Sequence, residues 1–253
     1  MTLDIVTVSS APELAADVAA RLVATIVSVQ ADGGIARIVL TGGRIAEQIL
    51  TQVSASAADI DWTRIHLWWG DERYVASGDT QRNDVVADRE LLARVSIPDA
   101  HVHRVAGAEQ CESAEIAAER YSADLLATLA EQGVDGQPWF DVVMLSVGPD
   151  GHVASLFPEH PALSDTAIAL AVHNSPKPPP TRVTMSFPTL SRGQQVWLLA
   201  SGREKAAAVR MLLSRAGYLQ IPAAGVRGVT STLLLCDAEA AREIPEGLAR
   251  PGV

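Results

Sequence analysis

Short apolar runs alternate with longer stretches whose apolar residues recur every three or four positions. Leu3–Val8 reads as a strand, and Pro12 then opens a helix to about Val29, since proline suits a first helical turn. Ile35–Leu40 reads as a second strand that ends at Thr41-Gly42-Gly43, followed by a helix to about Val53. Ile65–Trp69 is a third, running into Gly70-Asp71-Glu72-Arg73. Over Glu109–Glu131 the residues Ile116, Tyr121, Leu125 and Leu129 mark one apolar helix face. Asp141–Val147 is almost continuously apolar, the pattern of a strand covered on both faces in a parallel sheet. Strands are also predicted at Ala167–Val172, Arg182–Phe187, Gln195–Ala200 and Thr232–Cys236, with helices after Gly202 and over Asp237–Glu243. The expected fold class is α/β, a mostly parallel sheet flanked by helices, with ligand sites at the carboxyl ends of strands. No linker divides the chain, so residues 1–253 read as a single domain. Ser175-Pro176-Lys177-Pro178-Pro179-Pro180 reads as a stiff polyproline II connection.

Composition narrows the function classes. At 48% hydrophobic and 20% charged, the 253 residues match a globular chain and exclude disordered or fibrous ones. A net charge of −10 argues against nucleic acid or an anionic membrane as partner. Any phosphate must then be held by a local site. Cys111 and Cys236 make no disulfide framework; they read as reduced thiols, with a single bridge as the alternative. Asp4 precedes any basic residue, so no signal sequence is read, and no apolar run approaches the length of a membrane span. The expectation is a soluble, cytoplasmic protein, a monomer or weak homo-oligomer.

The motifs that are absent remove several chemistries. The two lysines, Lys177 and Lys205, both lack a preceding glycine, so no Walker A loop exists. No G-x-G-x-x-G, G-x-S-x-G, H-E-x-x-H or C-x-x-C occurs either. Nucleoside triphosphate, nicotinamide and serine-hydrolase chemistry lose ground, and no metal site has a local signature. Thr41-Gly42-Gly43 joins a strand to a helix, where glycines and free N–H groups suit an anion, although a plain tight turn would use them too. Arg44 beside it is either a phosphate contact or a solvated arginine. Asp71-Glu72-Arg73 is either an arginine aimed at substrate between carboxylates or a solvated turn, and Asp79, Arg82 and Asn83 follow on a long loop. The richest segment is Gly148-Pro149-Asp150-Gly151-His152-Val153-Ala154-Ser155-Leu156-Phe157-Pro158. It sets a histidine, the side chain that titrates nearest neutrality, two residues from an aspartate. His66, His101, His103, His160 and His173 lack such settings and read as surface or core residues, and the tryptophans read as core. Lys205 falls in a first helical turn, where a cation fits best if an anion is near.

In this order the Gly-Gly turn, Asp71-Glu72-Arg73, Asn83, the 148–158 segment, Arg182 and Gly202 with Lys205-Ala206 resemble the 6-phosphogluconolactonase family, in its actinobacterial branch. The resemblance spans about residues 35–240 and implies a modified Rossmann-type fold of the glucosamine-6-phosphate isomerase/6-phosphogluconolactonase kind. It also implies cofactor-free hydrolysis of a sugar-phosphate lactone. His152 is then expected as general base, Asp150 as its orienter, and Arg73 or nearby N–H groups as oxyanion donors. Thr41, Gly42, Gly43, Arg44, Asp71, Asn83, Gly151, Arg182 and Lys205 are expected to bind the substrate and its phosphate. Three departures stand out: Arg44-Ile45-Ala46 lacks the family's Ser or Thr, Ala76 replaces a common proline, and Ser146-Val147 replaces Gly-Met. The related glucosamine-6-phosphate deaminases follow their histidine with an Ile-Ala-Phe-Asn-Glu-Pro-like run, unlike Val153–Pro158, and lack the Asp-Glu-Arg form. A sugar-phosphate sensor would be expected to carry a DNA-binding region, for which an acidic chain of 253 residues leaves no room.

Overall fold

The protein is described by a computed structural model over residues 3–56, 59–214 and 216–245. Its elements run β1 (Leu3–Val8), α1 (Ala11–Ala31), β2 (Ala36–Leu40), α2 (Arg44–Ala55), β3 (Ile65–Trp69), β4 (Asp71–Arg73), α3 (Asn83–Glu90) and α4 (Ala114–Glu131). They continue with β5 (Phe140–Ser146), β6 (Ala169–Val172), β7 (Arg182–Met185), α5 (Phe187–Leu190), β8 (Gly193–Ala200), α6 (Ala206–Leu213), β9 (Ser231–Asp237) and α7 (Ala238–Ala241). Six strands form a parallel sheet in the order β1-β9-β8-β5-β2-β3.

Central β5 explains its own apolar sequence. Val143 and Leu145 enter the core shared with α4, whereas Val142 and Met144 enter the core under α1 and α2. A strand covered on both faces has no polar side to display. The cap of α1 is Ser10, whose side chain accepts from the Glu13 amide, and its stripe of Leu14, Val18, Leu22 and Ile26 is buried. Over an 18-residue window α1 reaches a mean hydropathy of 1.5 in a helix of 21 residues. It is therefore long and apolar enough to cross a membrane, which corrects the expectation that no segment is; here its apolar stripe packs on the sheet.

Other expectations need correction. Arg182–Phe187 and Ala167–Val172 do not extend the parallel sheet. With β4 they form a separate antiparallel sheet, ordered β4-β7-β6. Gly70 joins the two sheets, donating to Leu40 O (3.0 Å) and accepting from the Met185 amide (2.8 Å). The helix expected from Glu109 starts at Ala114, because the Ser113 hydroxyl accepts from the Ile116 amide and caps it there. The helix after Gly202 begins as a 3₁₀ turn over Arg203–Lys205. Ser175–Pro180 is no stiff rod, since its ends close on one another through Ser175 N–H and Pro180 O (3.0 Å). Because all six main strands run parallel, the loops after β2, β5 and β8 emerge at one edge, and β4 and β7 lie beside them.

Candidate active site

The loop after β5 places His152 at that edge. Its Nδ1 lies 2.5 Å from Asp150 Oδ1; when the ring proton sits on Nδ1 the carboxylate accepts it, and Nε2 keeps its lone pair. Phe157 packs against the ring at 4.7 Å between centroids. Gly148 makes this arrangement possible, because a Cβ there would sit 1.9 Å from His152 Nδ1. Behind the loop, Ser155 is fully buried and donates to Asp71 Oδ2 at 2.5 Å.

Lys177 reaches the same pair from the loop before β7. Its Nζ stands 3.2 Å from His152 Nδ1 and 3.6 Å from Asp150 Oδ1. Burial alone would raise the Asp150 carboxyl; the His152 hydrogen bond, with the His152 and Lys177 charges, outweighs it and holds the group well below the usual carboxylate range. Sequence reasoning missed Lys177 by treating its segment as a connector. The available signal was rarity, since it is one of two lysines in a chain of net charge −10.

A cavity of about 230 Å³ brings together Thr41, Gly42, Gly43, Asp71, Arg73, Asn83, His152, Arg182, Lys205 and Lys177. An adjoining cavity of about 540 Å³ shares Gly43, Ser146 and Lys205 and adds Ser9, Arg44, Ser201 and Gly202. Gly43, with φ of 97°, caps the N-terminus of α2 in a conformation that L side chains rarely adopt. Lys205 precedes α6, and burial and then the Lys177 cation lower its pKa. Two ammonium groups and a helix N-terminus sharing one space suit an anion.

The remaining expected residues divide by what their polar atoms do. Arg73 keeps a buried Nε without a hydrogen-bond partner, while its Nη1 donates to Gln81 O. Arg182 commits Nε to Pro179 O (3.0 Å) and Nη2 to Lys177 O (3.0 Å) and Pro178 O (3.1 Å); its Nη1 stands 3.8 Å from Asp71. It anchors the Lys177 loop as well as lining the cavity. The Thr41 hydroxyl accepts from the Ser146 amide (3.0 Å), and the Ser146 hydroxyl donates to Gly42 O (2.8 Å). Ser146 lines both cavities, although the sequence marked it only as a departure from the family's Gly-Met. Arg44 extends across the rim to Glu204 (3.3 Å), its side chain 91% exposed.

Asp71-Glu72-Arg73 is not a solvated turn. Glu72 is 1% exposed and accepts from the amides of Arg73 (2.8 Å), Asn83 (2.8 Å) and Asp84 (2.9 Å). Asn83 does not lie on a loop but opens α3, and its Nδ2 donates to Asp71 O (2.9 Å). Arg82 is buried in a bidentate pair with Asp84 (2.9 and 2.6 Å) and does not line the cavity with Arg73. Gly151 shapes the loop, its carbonyl accepting from the Ala223 amide (3.0 Å).

Comparison with known proteins bears on the family and the fold. The family model described as glucosamine-6-phosphate isomerases/6-phosphogluconolactonase matches residues 9–235. A 6-phosphogluconolactonase of Streptomyces coelicolor is 45% identical over 238 residues, covering 92% of this chain and 91% of that protein. The crystal structure of 6-phosphogluconolactonase from Thermotoga maritima aligns with a TM-score of 0.81 at 26% identity, covering 93% of this chain and all of that one. A monomeric glucosamine-6-phosphate deaminase shares the fold, with a TM-score of 0.77 at 20% identity over 95% of this chain and 100% of that one.

Proposed function

The chain belongs to the glucosamine-6-phosphate isomerase/6-phosphogluconolactonase family, and we propose that it hydrolyses 6-phospho-D-glucono-1,5-lactone with His152 as general base. The reaction yields 6-phospho-D-gluconate in the oxidative pentose phosphate pathway. One observation carries the assignment of the base: Asp150 engages Nδ1 of His152 in a cavity lined by cations, leaving Nε2 to accept a proton.

His152 Nε2 takes a proton from water as that water attacks the lactone carbonyl carbon, and the carbonyl electrons move onto oxygen. Arg73, which lines the cavity with His152, is the side-chain donor in this scheme that stabilises the oxyanion. As the tetrahedral species collapses, the bond to the ring oxygen breaks and the imidazolium returns its proton to that oxygen. Asp150 holds the ring orientation and stabilises the imidazolium through both steps. The phosphate, remote from the reacting carbon, positions the sugar through Lys205, Gly43 and the α2 N-terminus. Arg44, Thr41, Asp71, Asn83 and Arg182 complete the proposed binding surface. The activity needs neither a nucleophilic serine nor a cofactor in this scheme, because a strained ester is already reactive. The net charge of −10 supports a partner set without nucleic acid. We take the enzyme to be cytoplasmic and a monomer or weak homo-oligomer.

The test is an assay of the purified protein on freshly prepared 6-phosphogluconolactone, with glucosamine 6-phosphate as control. Lactone opening well above the spontaneous rate is expected, without ammonia release. Ammonia from the amino sugar with only spontaneous lactone opening would assign the deaminase reaction instead.

A further inference from the structure

His152 Nδ1 has two neighbours that cannot both be satisfied by one imidazole. Asp150 Oδ1, at 2.5 Å, requires a proton on Nδ1; Lys177 Nζ, at 3.2 Å, can donate only to an Nδ1 that lacks one. The two states are the two neutral tautomers, and they differ in chemistry. With the proton on Nδ1, Nε2 is a base. With the proton on Nε2, it is not. Lys177 also competes for the carboxylate itself, standing 3.6 Å from Asp150 Oδ1.

The loop is built so that this side chain can move while its backbone stays. The Lys177 carbonyl accepts from Ser175 Oγ (3.0 Å) and Arg182 Nη2 (3.0 Å), and Arg182 pins the next two carbonyls as well. The Lys177 side chain itself is 41% exposed. The other charged groups around the imidazole are tied elsewhere. From β4, Asp71 is bonded to Ser155 and Arg73 to Gln81 O; from β7, Arg182 is held by loop carbonyls. Lys205, ahead of α6, lines the cavity without a hydrogen bond to the ring among the described residues. Lys177 is thus the cation within reach of His152 Nδ1.

We propose that Lys177 is a positioning residue that competes with His152 for Asp150, and that an anion entering the cavity draws its ammonium away and so sets the imidazole in the Nδ1–H form. The base would then be fully formed only when the site is occupied. This rests on His152 being the base, and it adds a substrate-dependent step to that reading. The anion is the phosphate of the substrate, since the carboxylate that ring opening creates arises only after the base has acted.

Ring ¹⁵N shifts of histidine-labelled protein, recorded above the imidazole titration, read the tautomer directly, and loss of one signal in His152→Asn assigns it. Free wild type should show a mixture of tautomers. Lys177→Met should move it to a roughly tenfold excess of the Nδ1–H form, the scale of losing one charge-assisted hydrogen bond. Lys177→Arg, which keeps a cation, should retain the mixture. Inorganic phosphate added to wild type should reproduce the Lys177→Met spectrum; gluconate, which carries only the carboxylate formed after the base has acted, should not. The wild-type titration also serves if Lys177→Met fails to fold. A free wild type already wholly Nδ1–H, and unmoved by phosphate or by Lys177→Met, overturns the proposal while leaving His152 as the base. Full kcat in His152→Asn would instead overturn the assignment of the base.

Discussion

Two histidine–aspartate pairs in this molecule have nearly the same geometry and opposite chemical prospects. His152 and Asp150 meet at 2.5 Å at the carboxyl edge of the parallel sheet; His103 and Asp124 meet at 2.8 Å beside β3. In the first pair the polar neighbours gather at Nδ1, and among the described residues none bonds the second nitrogen of this cavity-lining ring. In the second, His103 Nε2 is spent on His66 Nδ1 at 2.8 Å, and its ring lies flat on Trp68 with centroids 3.6 Å apart. His101 stacks on His66 with centroids 4.1 Å apart. Burial, followed by the charges of His101 and His103, pushes His66 down to about 4. A carboxylate beside a histidine therefore does not make a base. What makes one is a second nitrogen with space in front of it.

The strongest way to break this comparison is to remove each ring in turn. His152→Asn should lower kcat by roughly 10²–10⁴-fold, the usual worth of a positioned base. His103→Asn should leave kcat within about threefold, a change under ~1 kcal/mol. Both rates are measured on fresh lactone with spontaneous opening subtracted at each pH. If His152→Asn keeps more than about a tenth of kcat, the distinction between the pairs fails.

The charge environment is the next difference. Lys205→Ala should cost about 1–3 kcal/mol in kcat/KM, mostly through KM, and should narrow the preference for phosphorylated over unphosphorylated lactone. An unchanged preference would remove Lys205 from the phosphate site.

The buried pair should show itself in stability rather than rate. The folded-state pKa of His66 lies below its unfolded value, so the unfolded chain binds more protons between about pH 4 and 6.5. The stability that His66 contributes is present above pH 6.5 and is lost as pH falls toward 4. Between pH 7 and 5 that loss should be about 1–2 kcal/mol, read from urea midpoints, and His66→Gln should remove it. An identical slope in His66→Gln would assign the loss to other groups.

The smallest effect belongs to Asp124. Its side chain is 46% exposed, so Asp124→Asn should cost under about 1 kcal/mol of stability and leave kcat unchanged. A larger loss in a urea titration would mean that the His66–His103 pair depends on this partner's charge.

Much of this was legible along the chain, for a definite reason. Asp141–Val147 announced a strand covered on both faces, and the structure places it centrally as Phe140–Ser146. The loop from Gly148 to Pro158 was readable because Asp150 and His152 are two residues apart. Their meeting depends on local backbone geometry, which glycine and proline spacing records. Residues that depend on distant partners were not readable. Lys177 meets His152 across 25 positions, and Ser155 meets Asp71 across 84. Glu72 looks like a surface charge until β4 pairs with β7 and α3 supplies two amides to its carboxylate. Hydrophobic period and turn chemistry determined the elements and the Gly148–Pro158 loop, because both act within a few residues. Strand order and the second sheet decided which charges share a cavity, because that choice depends on packing between segments whose separation no local pattern encodes.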